Sequence, residues 1–193
     1  MFRLRLPTDP RWVDLASLSL EDILTDHAYC EQKATSTCIS LIQNYPDREE
    51  LVNQLAPIVT EEWGHFRMVI AELKKRKLKL GTQRKDEYVN ALRKMIRMGD
   101  RVERQLMDKL LVSALIEARS CERFRLLSEK LPQPELRKFY RLFMESEAGH
   151  YTVFMKLAKK YMPAKVVNER WKEMLEQEKE ILKSLEVSGD RIH

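Results

Sequence analysis

The sequence predicts an all-α protein: a four-helix bundle with one long crossover and an extra C-terminal helix. Three observations carry this. Leu, Glu, Lys, Arg, Met and Ala dominate, whereas Gly occurs 5 times in 193 residues, so intrinsic propensity favours helix throughout. Proline-bearing turns at Tyr45-Pro46-Asp47 and Pro132-Gln133-Pro134 cut long helical stretches into two hairpins. The hairpins repeat: Glu31 precedes Pro46 by 15 residues (46 − 31), and Glu117 precedes Pro132 by 15 (132 − 117).

Taken in order, an irregular arm is expected to about Ser17, interrupted by Pro7 and Pro10. Ser19 then caps a first helix reaching about Asn44, with Asp22 in the place of the usual capping-box glutamate. A second helix is expected over about 47–77, kinked at Pro57, whose ring removes one backbone hydrogen bond. A short helix near 86–98 and a third long helix from about 100 to 130 follow the break at Gly81-Thr82-Gln83. The fourth covers about 135–161. The last, about 164–185, is rich in Glu and Lys and reads as an ion-paired surface helix. One domain over 1–193 is expected, with its core at about 19–161.

Composition narrows the function classes. A net charge of +5 and a pI of about 9.1 suit an anionic partner without requiring one. No apolar run is long enough to span a membrane, and a signal peptide is not expected, because the first residues lack a long apolar stretch and a small-residue cleavage site. Cys30, Cys38 and Cys121 are an odd set without a C-x-x-C pair, which fits reduced, buried thiols in a cytoplasmic protein.

The chemistry lies in the histidines. Two of the 4 close the same phrase, Glu62-Trp63-Gly64-His65 and Glu147-Ala148-Gly149-His150. Residues three apart share a helix face, so each Glu/His pair can reach one ion. Lone glutamates precede them at matching distance, 31 residues for Glu31 (62 − 31) and 30 for Glu117 (147 − 117). A glutamate from each of two helices plus Glu-x-x-His from each of two others is the donor set of a bundle holding two metal ions. Four carboxylates and two imidazoles suit Fe(II), with Mn(II) as the alternative, better than thiolate-seeking ions. The one-residue mismatch between the halves predicts a π-bulge at Pro57. Gly64 and Gly149 suggest close helix approach first and room for a ligand second. His27, one turn before Glu31, reads first as a satisfied interior histidine and second as an outer donor to the site. Glu61 and Ser146 are candidates to orient the imidazoles. Glu103 and Glu122 are rival ligands that break the repeat spacing. Arg93, Arg97, Arg101 and Arg104, spaced by threes and fours, predict one basic helical face able to follow phosphates.

Four stretches resemble a known family, the bacterial tRNA hydroxylases acting on 2-methylthio-N6-isopentenyladenosine beside the anticodon. They are Asp26-His27-Ala28-Tyr29-Cys30-Glu31-Gln32-Lys33-Ala34, Glu61-Glu62-Trp63-Gly64-His65-Phe66, Ile116-Glu117-Ala118-Arg119-Ser120-Cys121-Glu122-Arg123-Phe124 and Ser146-Glu147-Ala148-Gly149-His150-Tyr151. The third is far more specific than Glu-x-x-His, which many ferritin-like proteins share. The resemblance implies a ferritin-like fold and a non-haem di-iron centre held by Glu31, Glu62, His65, Glu117, Glu147 and His150. It also implies hydroxylation of the prenyl side chain of tRNA with O2 and electrons from a reductase. Gly149 departs from the family pattern, where a bulkier, basic residue is expected. The competing functions are a di-iron or di-manganese oxidase, peroxidase or catalase with a small substrate, and non-enzymatic iron storage.

Overall fold

A computed structural model describes residues 2–185 and 191–192, which contain seven helices and no strand among the described residues. They are α1 (Arg11–Leu18), α2 (Leu20–Asn44), α3 (Glu49–Lys75), α4 (Glu87–Arg93), α5 (Val102–Lys130), α6 (Pro134–Tyr161) and α7 (Ala164–Ser184). The chain divides into two compact units: residues 14–85 with 191–192, and residues 2–13 with 86–185.

In the first unit α2 packs against α3 as an antiparallel hairpin. Leu24, Ala28, Cys38 and Leu41 of α2, and Leu51, Leu55, Ile58, Val69 and Leu73 of α3, are buried. They recur at threes and fours, the spacing of one helix face. Ser19 stands at the N-cap of α2, but its side chain makes no capping bond, contrary to expectation. Helix α3 remains α-helical through Pro57, so no π-turn absorbs the extra residue. After α3 the chain runs back along α2. Lys79 N donates to Glu21 Oε1 (2.9 Å), Gly81 N to Thr25 Oγ1 (3.2 Å), and the Tyr29 hydroxyl to the Gly81 carbonyl (2.9 Å). The tail returns to the same helix, where the Ile192 amide donates to Asp26 Oδ2 at 2.7 Å.

In the second unit α5 packs along α6, and α7 contacts α4, α5 and α6. Helix α5 is buried on nearly every side, as its run Leu110-Leu111-Val112-Ser113-Ala114-Leu115 requires. Phe124, Tyr140 and Phe143 pack ring to ring between α5 and α6. Helix α7 is more than a solvated surface helix. Val167, Trp171, Met174 and Leu175 are buried along one face, and so is Glu178.

Three features depart from the sequence reading. The arm contains α1: Asp9 accepts from the Arg11 amide (2.9 Å), and Pro10 follows it at the helix start. Helix α4, capped by Asp86 through the Val89 amide (3.0 Å), stops at Arg93 rather than near residue 98. Gly99 then takes φ +77, a left-handed conformation cheap only for glycine, before α5 begins at Val102. Arg93, Arg97 and Arg101 therefore do not line one helical face. Arg97 is committed to the buried Asp108 through Nε and a second nitrogen, both at 2.8 Å. Arg170 completes the clamp at 3.1 Å.

Candidate metal centre

Helix length sets the depth of the candidate ligands. Glu31 lies 13 residues before the end of α2 (44 − 31), and Glu62 lies 13 after the start of α3 (62 − 49). Glu117 lies 13 before the end of α5 (130 − 117), and Glu147 lies 13 after the start of α6 (147 − 134). At 1.5 Å per residue each carboxylate sits roughly 20 Å from its turn. The mismatch seen in the sequence falls in the turns, residues 45–48 against 131–133, and not in the helices.

In the first hairpin one ligand atom each from Glu31, Glu62 and His65 lies within 4.8 Å of the others. His65 Nδ1 stands 3.4 Å from Glu31 Oε2 and 3.4 Å from Glu62 Oε2. Glu31 is 3% and Glu62 1% exposed, and the His65 side chain 12%. Separations of this size are at the long limit of a hydrogen bond. They match ligands of one small cation bound through bonds of about 2.1 Å. His27 is fully buried, and its Nε2 lies 2.7 Å from Glu31 Oε1. The residue is interior, and its contact with Glu31 is the one an outer donor would make.

In the second hairpin, ligand atoms of Glu117, Glu147 and His150 likewise lie within 4.8 Å of one another. His150 Nδ1 is 3.9 Å from Glu147 Oε2. All three residues are buried. Both histidines turn Nδ1 toward the glutamate three residues earlier. His65 Nε2 is 3.9 Å from Glu61, and His150 Nε2 is 3.4 Å from the Ser146 hydroxyl. Ser146 is in reach to fix the ring, whereas Glu61 stands beyond hydrogen-bond distance.

The rival Glu122 is excluded by its partners, since it accepts from the Thr8 hydroxyl (2.6 Å) and pairs with Arg119. Arg119, fully buried, also binds Glu178 Oε1 (2.6 Å) and the Leu6 carbonyl (3.0 Å). Sequence reasoning missed this cluster, which ties the N-terminal arm and α7 to α5. Its signal in the sequence was an arginine two residues after Glu117, in the buried stretch of α5. The cysteines are free and buried, and burial, with the Glu147 charge behind it, pushes the Cys121 thiol up to about 12. That thiol stays protonated and is no nucleophile. The expectation of close approach at the two glycines fails. A Cβ added at Gly64 or Gly149 would meet nothing within 4 Å.

The donor chemistry of both triads, carboxylate oxygens and imidazole nitrogens held together away from solvent, fits Fe(II) or Mn(II) and not a thiolate-seeking ion.

Comparison with known proteins identifies the family. The family model for tRNA-(MS[2]IO[6]A)-hydroxylase (MiaE) matches residues 2–193. A tRNA 2-(methylsulfanyl)-N(6)-isopentenyladenosine(37) hydroxylase from Pseudomonas putida is 39% identical over 155 residues, covering 80% of this chain and 74% of that protein. The protein of the same name from Salmonella typhimurium is 26% identical over 204 residues, with the same coverage. Among solved structures, a Synechococcus protein described as having aldehyde deformylating oxygenase activity superposes with a TM-score of 0.92. It is 33% identical, and the match covers 98% of this chain and 94% of that one. The fold is the all-α, ferritin-like one expected from the sequence. By a match that spans the chain, and by a relative of this identity, the protein belongs to the tRNA-(2-methylthio-N6-isopentenyladenosine) hydroxylase family.

Proposed function

We propose that the protein is a non-haem di-iron monooxygenase that hydroxylates the isopentenyl side chain of a modified adenosine next to the tRNA anticodon. The observation that carries this is the pair of buried Glu/Glu-x-x-His triads at equal helical depth in a chain of the hydroxylase family. In this reading the hairpins of α2–α3 and α5–α6 close as one four-helix bundle and a single domain. Glu31, Glu62 and His65 then serve one iron, and Glu117, Glu147 and His150 the other, with Mn(II) as the alternative metal.

The charge balance favours a pair of divalent ions. Four buried carboxylates carry −4, two divalent cations carry +4, and a buried charge left uncompensated costs several kcal/mol. When bound and reduced, the pair supplies O2 activation that inserts one oxygen atom into a C–H bond, while two external electrons and two protons convert the other atom to water. The chain's own residues set the rest. The helices fix the spacing of the carboxylates, Ser146 steadies the His150 ring, and the buried apolar faces of the hairpins keep bulk water from the donors.

The substrate reading requires a base splayed from a loop. Single-stranded loops meet this, because unstacked bases can be drawn into a pocket and stacked on aromatic side chains. Trp63, 46% exposed and stacked on Phe66 at 4.8 Å, offers such a surface one residue from Glu62. Exposed Lys74, Lys75, Lys77, Lys79 and Lys85 supply phosphate contacts, and Arg97 does not, being held by Asp108. O2 and a reductase are the further partners, and a tRNA substrate goes with a cytoplasmic location.

The Synechococcus neighbour's described activity supports a second reading, an oxygenase acting on a small aldehyde. One assay separates the two. Undermodified tRNA is incubated with iron-loaded protein, O2 and a reducing system, and its nucleosides are analysed by mass spectrometry. The prenylated adenosine should gain one oxygen atom (about 16 Da), and Glu62→Gln with Glu147→Gln should abolish the gain. Unmodified nucleosides together with turnover of a small aldehyde would contradict tRNA hydroxylation.

A further inference from the structure

We propose that His27 is a positioning residue that makes the two metal positions chemically unequal. This rests on the di-iron reading above. The internal repeat supplies the comparison. Both halves carry the same ligand types at the same helical depth, yet the residue one turn before the lone glutamate differs. It is His27 before Glu31 (31 − 4) and Ser113 before Glu117 (117 − 4). Both positions are buried, so the difference is not a surface variation.

The geometry gives His27 a definite task. Its Nε2 is 2.7 Å from Glu31 Oε1, inside the hairpin, with the ring fully buried and Glu31 3% exposed. A carboxylate can only accept, so Nε2 carries the hydrogen and donates. That bond occupies Oε1 and leaves Oε2 facing His65 Nδ1 at 3.4 Å. Glu31 is thereby turned to offer a single oxygen. A strong hydrogen bond to a ligand carboxylate also draws electron density from it and weakens it as a donor. The iron on the Glu31 half is therefore the more electron-poor one and the later to be oxidised. Serine at 113 brings no imidazole to Glu117. The surroundings of the two ligand histidines differ as well: Ser146 is within reach of His150 Nε2, whereas Glu61 stands 3.9 Å from His65 Nε2.

The test uses the full chain reconstituted with 57Fe(II) under anaerobic conditions and read by Mössbauer spectroscopy, with Fe(II) affinity measured in parallel. Wild type should give two quadrupole doublets of equal area. His27→Ser, which copies the other half, should shift one doublet and leave the second in place. Because the loss of positioning at Glu31 outweighs its small gain in donor strength, it should also weaken one of the two binding steps by about 10–100-fold. His27→Gln, which keeps a side-chain N–H donor, should restore the wild-type doublet, an outcome that a packing defect would not produce. A single doublet in wild type, or both doublets unmoved in His27→Ser, overturns the inference while leaving the di-iron reading intact. If His27→Ser does not fold, the wild-type spectrum and His27→Gln still decide the matter. Failure of wild type to bind two irons overturns the underlying reading itself.

Discussion

At the scale of single residues, the two helical glycines separate packing from function. Gly149 is exposed within α6, and a Cβ there meets open space. Glycine inside a helix costs roughly 0.5–1 kcal/mol against alanine. Gly149→Ala should therefore raise thermal stability, by about 2–4 °C for each kcal/mol gained in a chain of this size. Differential scanning calorimetry checks this, and a lowered transition would show that the space is needed. These glycines also mark a limit of sequence reasoning. Their place before each ligand histidine was legible, but whether they admit a neighbour or leave a gap depends on what packs opposite. The ligand histidines were legible because Glu-x-x-His needs only helical spacing. The Glu31 contact of His27 was foreseen as one of two options, since an i,i+4 pair always has reach and burial decides whether it is used.

At the scale of elements, the register of each hairpin is held by helix length. Because both second-helix glutamates lie 13 residues from their helix starts, the turn absorbs the one-residue difference between halves. An alanine inserted between Asp47 and Arg48 should therefore leave iron binding at two per chain. The same insertion between Leu55 and Ala56 sets Glu62 and His65 off by about 100° from the Leu51–Leu55 face. It should reduce bound iron to one per chain or fewer, as read by metal analysis of the purified variants. Equal iron in both would mean that helix register does not set the site. Long periodic helices were readable within about two residues because apolar spacing and proline turns act locally. Helix α1 was missed because Pro7 and Pro10 suggested an irregular arm, although Asp9-Pro10 is also a helix start. The early end of α4 was not visible because Asp108, far along the chain, draws Arg97 out of helical register through its side chain and its amide. The Arg119–Glu122–Glu178 cluster escaped for the same reason: its partners lie up to 59 residues away.

At the scale of the whole molecule, the account requires the two hairpins to act as one container for a metal pair. In that account each triad would hold one metal, and the pair would together supply the O2 chemistry. The repeat and the burial of all four glutamates support a metal-binding reading of each hairpin, and the chain belongs to the hydroxylase family. The most direct measurement is diffraction from crystals of the iron-reconstituted protein at wavelengths above and below the iron absorption edge. The account predicts two anomalous peaks, one bonded to Glu31, Glu62 and His65 and the other to Glu117, Glu147 and His150. A single peak, or peaks at any other side chains, would contradict it.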